Sequence, residues 1–287
     1  MTPLLCAALV GLVAGAHASI WGMYKDAPHE GFTVRTFVRS MLFAAVAGLV
    51  IAHLTGLMPV DAATGVVFFG VVYVVERALA EAYKTFFREA DQSKYTIPMQ
   101  FAVFGKVVTS RGLRAVLGLC YLGIMVLTVW LITLFQRAIG GPPPLWAIFI
   151  IGAAGGWISA FGGAWKDAPI EGFQLLKFFR SPLMAGIYAL LVSHLTSDLV
   201  FITLAAEGFV IATTETYKTF FFPSKPRGKF ANKPVIFPQW LRYRQYFVPV
   251  YVAIWLGVIT AYVVATVRHE RVLFPYTTLF RSRKSVV

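Results

Sequence analysis

A chain of 287 residues in which 58% of side chains are apolar and only 14% charged lies far from a soluble domain, which sits near about 45–50% and about 25%. Mean hydropathy is +0.70, so the composition excludes an ordinary soluble fold and points to a polytopic membrane protein. The formal charge of +13 would on its own suggest nucleic acid as a partner. Its placement gives another explanation, and no nucleic-acid binding is expected.

Apolar runs of about 17–23 residues mark membrane helices, because roughly 20 residues at 1.5 Å each cross the hydrocarbon core. Eight are predicted, at about 3–23, 40–58, 61–81, 114–136, 145–164, 181–197, 199–218 and 246–267. The first carries Gly11, Gly15 and Gly22, and also His17. KDAPHEGFTVRTFVRS follows at 25–40, the second run contains His53, and the third closes on EAYKTFF at 81–87. A polar loop, 88–113, leads to the fourth. QRAIGGPPPL at 136–145 then stops one helix and starts another with two glycines and three prolines.

From there the order repeats. Gly152, Gly156 and Gly163 stand 141 residues after the first three glycines. KDAPIEGFQLLKFFRS at 166–181 matches 25–40 at ten of sixteen positions with the same offset. HLT at 194–196 repeats 53–55, and ETYKTFF at 215–221 repeats 81–87 at an offset of 134. Self-similarity at this scale is read before any other feature. The expected fold is therefore an all-α membrane protein of two tandem, parallel four-helix repeats. Repeat one spans 1–137, a Gly/Pro linker 138–144, repeat two 145–268 and a tail 269–287. Four helices per repeat is an even number, so both enter the membrane in the same direction. The expected relation is a pseudo-two-fold along the membrane normal. LFPYTTLFRS at 273–282 looks like a translated sequencing-library adapter, which would make 273–287 an assembly artefact from an environmental bacterial source. Without Arg281, Arg283 and Lys284 the charge falls from +13 to +10.

Twenty of the 26 Lys and Arg residues lie in four segments, at 25–39, 77–114, 166–180 and 218–244. The alternate loops hold only Arg137. The positive-inside rule then places the four basic segments in the cytoplasm and both termini outside, in a bacterial cell (inner) membrane. Arg268 and Arg271 run against this scheme. The loop 219–245 is basic, aromatic and proline-rich, and suits an anionic leaflet, so anionic lipid head groups are the expected partners. A homo-oligomer is left open. The two cysteines, Cys6 and Cys120, stand in apolar runs and read as packing residues. Cys6 also lacks the basic lead-in of a lipoprotein signal.

The polar residues that recur in both halves are the candidates for chemistry. Lys25, Asp26, Glu30 and Arg39 repeat as Lys166, Asp167, Glu171 and Arg180. They suit a site that grips a charged group. Equally, Asp26 would cap the following helix, Pro28 would occupy its first turn, Glu30 would favour its positive end, and the arginines would snorkel. Glu81 and Lys84 repeat as Glu215 and Lys218, either in a site or as interfacial anchors. Glu81 has Arg77 and Lys84 at helical spacing, and Arg39 or Lys25 within the same repeat. Glu207 is the sharpest single residue. It lies near the midplane of the seventh run, where a carboxylate is costly and faces a cavity or a partner. Tyr73 stands at the matching place, with Glu76 nearby, so any such site is asymmetric. A protonated, hydrogen-bonded glutamate joining helices is the alternative. His53 and His194 could pair on the outer face, or each bond a helix-end carbonyl. The glycine stripes predict that helices one and five pack tightly, either against each other at the pseudo-axis or within their own repeats.

No phosphate-binding glycine loop, nucleophile elbow, HExxH or Cys/His metal spacing occurs, so neither metal nor cofactor is expected. Three functions remain open. The first is a small transporter or channel for an ion, a proton or an amphipathic solute. The second is a lipid-acting enzyme or head-group binder with its polar site at the cytoplasmic face. The third is a membrane scaffold or assembly factor.

Overall fold

The computed structural model describes residues 2–223 and 228–272. The adapter-like segment 273–287 lies outside the described residues. Among the described residues the fold is all-helical, apart from one hairpin of two-residue strands, Ala102–Val103 with Lys106–Val107, and an isolated bridge between Thr196 and Val272. Among the described residues eight helices are long and apolar enough to cross a membrane.

Local signals set most helix ends. α1 (Pro3–Glu30) starts with Pro3 in its first turn and Thr2 as its cap, and ends at Gly31, whose φ of +78° favours glycine. α2 (Val34–Thr55) is capped by Thr33, and α3 (Ala62–Ala82) by an Asp61–Thr64 capping box. A π-helical turn, Tyr83–Phe87, continues α3. α4 (Arg111–Ile139) follows Ser110, and α5 (Leu145–Glu171) follows the prolines. α6 (Leu175–Val192) and α7 (Leu199–Phe220) come next, the latter capped by Asp198. The short α8 (Trp240–Tyr243) runs through a 3-10 turn into α9 (Val248–Val267).

The basic segments differ from expectation. Asp26, Pro28 and Glu30 do not open the second helix; they form the last turns of α1, and the cap of α2 is Thr33. Asp167, Pro169 and Glu171 likewise end α5. A proline inside a helix removes one backbone bond. Here the carbonyl left over, that of Tyr24, accepts from Arg244 Nη1 at 2.9 Å. The carbonyl of Pro28 in turn accepts from Ile236 and Phe237 N–H at 3.0 and 2.9 Å. A 28-residue α1 is about 42 Å long, against a hydrocarbon core of about 30 Å, so its last turns have length to spare beyond the membrane.

The glycine stripes pack α1 on α2 and α5 on α6, not α1 on α5. A Cβ at Gly11 would stand 2.5 Å from the Ala44 carbonyl oxygen, and one at Gly156 2.5 Å from that of Ser181. Gly22 and Gly163 face open space. The close pair at the centre is α3 with α7. It crosses where Gly208 lies on the backbone of Gly70 and Gly70 lies on Ala205. Both helices are apolar around most of their circumference, which is the signature of a buried helix, and both are the most buried of the eight. α4 and α9 lie at the edge, α9 against α3 and α1.

The two large loops are exchanged between halves. Residues 88–110 reach the end of α5, where Trp165 Nε1 donates to the Ala102 carbonyl at 2.8 Å. Residues 228–247 reach the end of α1 through the Tyr24 and Pro28 bonds above. The loops also join each other: Thr96 N–H donates to the Lys229 carbonyl at 2.7 Å, and Lys233 Nζ to that of Ser93 at 2.8 Å. They form one cap over one end of the bundle.

Candidate functional site

Beneath that cap the ends of α1, α3, α5 and α7 bring charged side chains together. Lys25 on α1 donates to Glu215 on α7 at 3.1 Å, and Lys218 approaches the same carboxylate at 3.5 Å. Glu81 pairs with Lys84 at 3.1 Å, and Lys166 on α5 is within electrostatic reach of it. The structure thus unites Lys25, Glu81, Lys84, Lys166, Glu215 and Lys218. Of the partners expected for Glu81 it takes Lys84; Lys25 crosses to the other half instead.

The remaining carboxylates of the matched segments turn elsewhere. Asp26 and Glu30 hold Lys229 of the loop at 2.9 and 3.4 Å. Burial opposes the Lys229 ammonium, but these two carboxylates outweigh it and hold its pKa above the ordinary lysine value. The Tyr95 hydroxyl donates to Glu30 at 2.8 Å, and its pKa is raised by burial and by that bond. Asp167 and Glu171 hold Lys177 of α6 at 2.9 and 3.0 Å. Sequence reasoning did not single out Lys177 or Lys229. The first had a signal: it is a charge in one matched segment where Thr36 stands in the other.

Glu207 lies in α7 with only 5% of its surface exposed. One oxygen accepts from the Ser159 hydroxyl of α5, and Oε2 has no partner among the described residues. Gly155 makes the room, since a Cβ there would meet Glu207 Cβ at 2.8 Å. At the matching position in the first half, Tyr73 is enclosed by aromatic rings. Its hydroxyl accepts from Trp21 Nε1 at 2.8 Å and lies 3.1 Å from His17 Nδ1, while His17 stacks on Tyr251. Glu76 does not act as a counterpart of Glu207, because it is paired with Arg77.

A cavity of about 180 Å³ lies between α5, α6 and α7, lined among others by Ser159, Asp167, Lys177, Arg180, Thr214 and Lys218. Arg180 makes no hydrogen bond or ion pair among the described residues; its Nε and the Thr214 hydroxyl are buried without partners. Arg39, which matches Arg180 in sequence, is exposed. A second, almost wholly apolar groove of about 520 Å³ runs between α6, α7 and α9 past Tyr188, Phe209 and Trp255.

The histidines His53 and His194 are both exposed, and no hydrogen bond or ring contact joins them among the described residues. Each stands at the far end of a helix that packs chiefly within its own half. Among the described residues no three His, Cys, Asp or Glu side chains gather as a metal site would require.

Comparison of the chain with protein-family models, with curated proteins and with solved structures finds no match.

Proposed function

We propose that this protein is a small membrane carrier whose solute site is the cavity between α5, α6 and α7. The observation that carries the reading is Glu207. A buried carboxylate with one unpartnered oxygen, in the middle of a membrane-length helix, is costly and is the usual mark of a solute or ion path. Its partner among the described residues, Ser159, also lines the cavity. The charged cluster at the cap end of α3 and α7 would then form the mouth, and the glycine crossing of those helices the pivot between two arrangements.

In this reading the chain is a tandem duplication of a four-helix unit with a pseudo-two-fold along the membrane normal. The matched segments support it, as do the like pairings of α1 with α2 and α5 with α6. The capped, basic end faces the cytoplasm of a bacterial cell. The first half is the closed copy, filled by His17, Trp21, Tyr73 and Tyr251; the second is the open one. A lipid head-group binder is the second reading, and the apolar groove of about 520 Å³ beside α7 favours it.

The test is flux from proteoliposomes, followed separately for protons and for hexanesulfonate, an anion at every working pH. One of the two should move down its gradient, and Glu207→Gln should reduce that movement at least tenfold with the melting midpoint kept. Silence for both probes, or full flux in the variant, removes the carrier role from this cavity.

A further inference from the structure

We infer that the cavity between α5, α6 and α7 binds one monoanionic head group (a carboxylate, sulfonate or phosphodiester) attached to a small apolar body. The inference deepens the carrier reading and rests on taking that cavity as the solute site. Charge decides the sign of the ligand. Lys177 is occupied by Asp167 and Glu171, and Lys25 and Lys218 share Glu215. Of the charged side chains that line the cavity, Lys177, Lys218 and Arg180 face Asp167 and Glu215, and among the described residues Arg180 is the one without a counter-ion. Its Nε is buried without a partner among the described residues, and the planar fork of a guanidinium fits two oxygens of one anionic group.

Two further groups point the same way. The Thr214 hydroxyl, on α7 across from Arg180, is buried without a partner among the described residues and can donate to an anion oxygen. Phe173, Phe178, Val210 and Ile211 supply apolar wall between the polar groups, so a fully hydrated inorganic ion would leave that wall unused. One excess positive charge also favours a singly charged ligand over a dianion, which would bury a net negative charge. The matched first-half residue, Arg39, is exposed and has Thr36 where Lys177 stands. The ligand site therefore belongs to the second half, and Arg39 serves as its internal control. A membrane phosphodiester lipid and a soluble organic anion share this chemistry.

The experiment is thermal unfolding of the full chain in phosphatidylcholine nanodiscs, followed by tryptophan fluorescence during titration with hexanesulfonate. A saturable rise of about 2 °C or more is expected at high ligand. Arg39→Gln should keep it, Arg180→Gln should abolish it, and 1-hexanol should not produce it. Thr214→Val should weaken apparent affinity at least threefold with every cation in place. If Arg180→Gln does not fold, Arg180→Lys keeps the charge without the fork and should weaken affinity about tenfold. The arm in phosphatidylglycerol nanodiscs separates the sources. A raised midpoint and no further response to hexanesulfonate identify the lipid; an undiminished response identifies a soluble anion. No rise with either anion, or an equal rise in Arg180→Gln, overturns the site. Binding without flux would retain this site and remove the carrier reading. Flux indifferent to Arg180 would do the reverse.

Discussion

Lys229 is the residue on which the cap closes. Its ammonium sits between Asp26 and Glu30 of α1, and also lies over the rings of Tyr95 and Phe230. Its pKa is raised in the folded state, so the stability it adds is fully present below the ordinary lysine value of about 10.4. That stability is lost as pH rises through the folded value. Amide exchange of residues 228–247 should therefore accelerate above about pH 10.5 beyond its intrinsic rise. Lys229→Met should bring the acceleration to neutral pH. Exchange in Lys229→Met indistinguishable from wild type at pH 7 would show that the bonds from the Ile236 and Phe237 N–H to Pro28 and from the Arg244 side chain to Tyr24 hold the loop unaided. Lys229 was also beyond the reach of sequence. Its partners stand about two hundred positions away, and no periodicity or spacing relates a loop lysine to a helix end at that distance. Glu207 was legible because a carboxylate in an apolar run is anomalous wherever its neighbours are. Arg180 was legible only as a repeated residue, since its lack of a partner is a property of three packed helices.

At the scale of elements, glycine position separates contact from open space. Gly208 lies on the Gly70 backbone and Gly156 on the Ser181 carbonyl, whereas Gly163, on the same helix as Gly156, meets nothing within 4 Å. Backbone cannot step aside as a side chain can. Gly208→Ala and Gly156→Ala are therefore each expected to destabilise by about 1–3 kcal/mol. Gly163→Ala should be neutral or stabilise by about 0.5–1 kcal/mol, as alanine replaces glycine within a helix. The measurement is the unfolding midpoint in nanodiscs, and equal losses at 156 and 163 would sink the assignment of contacts. The helices themselves were plain in the sequence, because apolar runs of membrane length are a direct physical requirement. Their lower ends were not. Asp26 and Pro28 suit a helix start by local preference, yet they finish α1, because Arg244 takes the carbonyl the proline leaves and Gly31 supplies the positive φ. Tertiary partners decided the boundary. The glycine stripe likewise announced a close contact without naming the helix that meets it.

For the whole molecule, the halves are interlocked and not simply joined. α9, from the second half, packs on α3 and α1 of the first. Each half's large loop covers the first helix of the other. At the opposite end Gln136 of α4 accepts from the Leu199 N–H that opens α7, at 2.7 Å. A half expressed alone would lose all of these at once. Residues 1–139 would leave the Tyr24 carbonyl, Asp26 and Glu30 without Arg244 and Lys229. The apolar face of α3 would also lose both α7 and α9. Unsatisfied polar groups at a helix end each cost about 1–3 kcal/mol, and a domain is stable by only about 5–15 kcal/mol. The first half alone should therefore be degraded or aggregate. Co-expression with residues 140–272 as a separate chain should restore a complex that survives mild detergent, because the exchanged contacts need no covalent link. Pull-down of one tagged half and immunoblotting for the other reads the result. A monodisperse, folded first half without its partner would mean that the matched segments mark two independent units. A pair that fails to assemble would mean that the covalent link between residues 139 and 140 is needed to bring the halves into register.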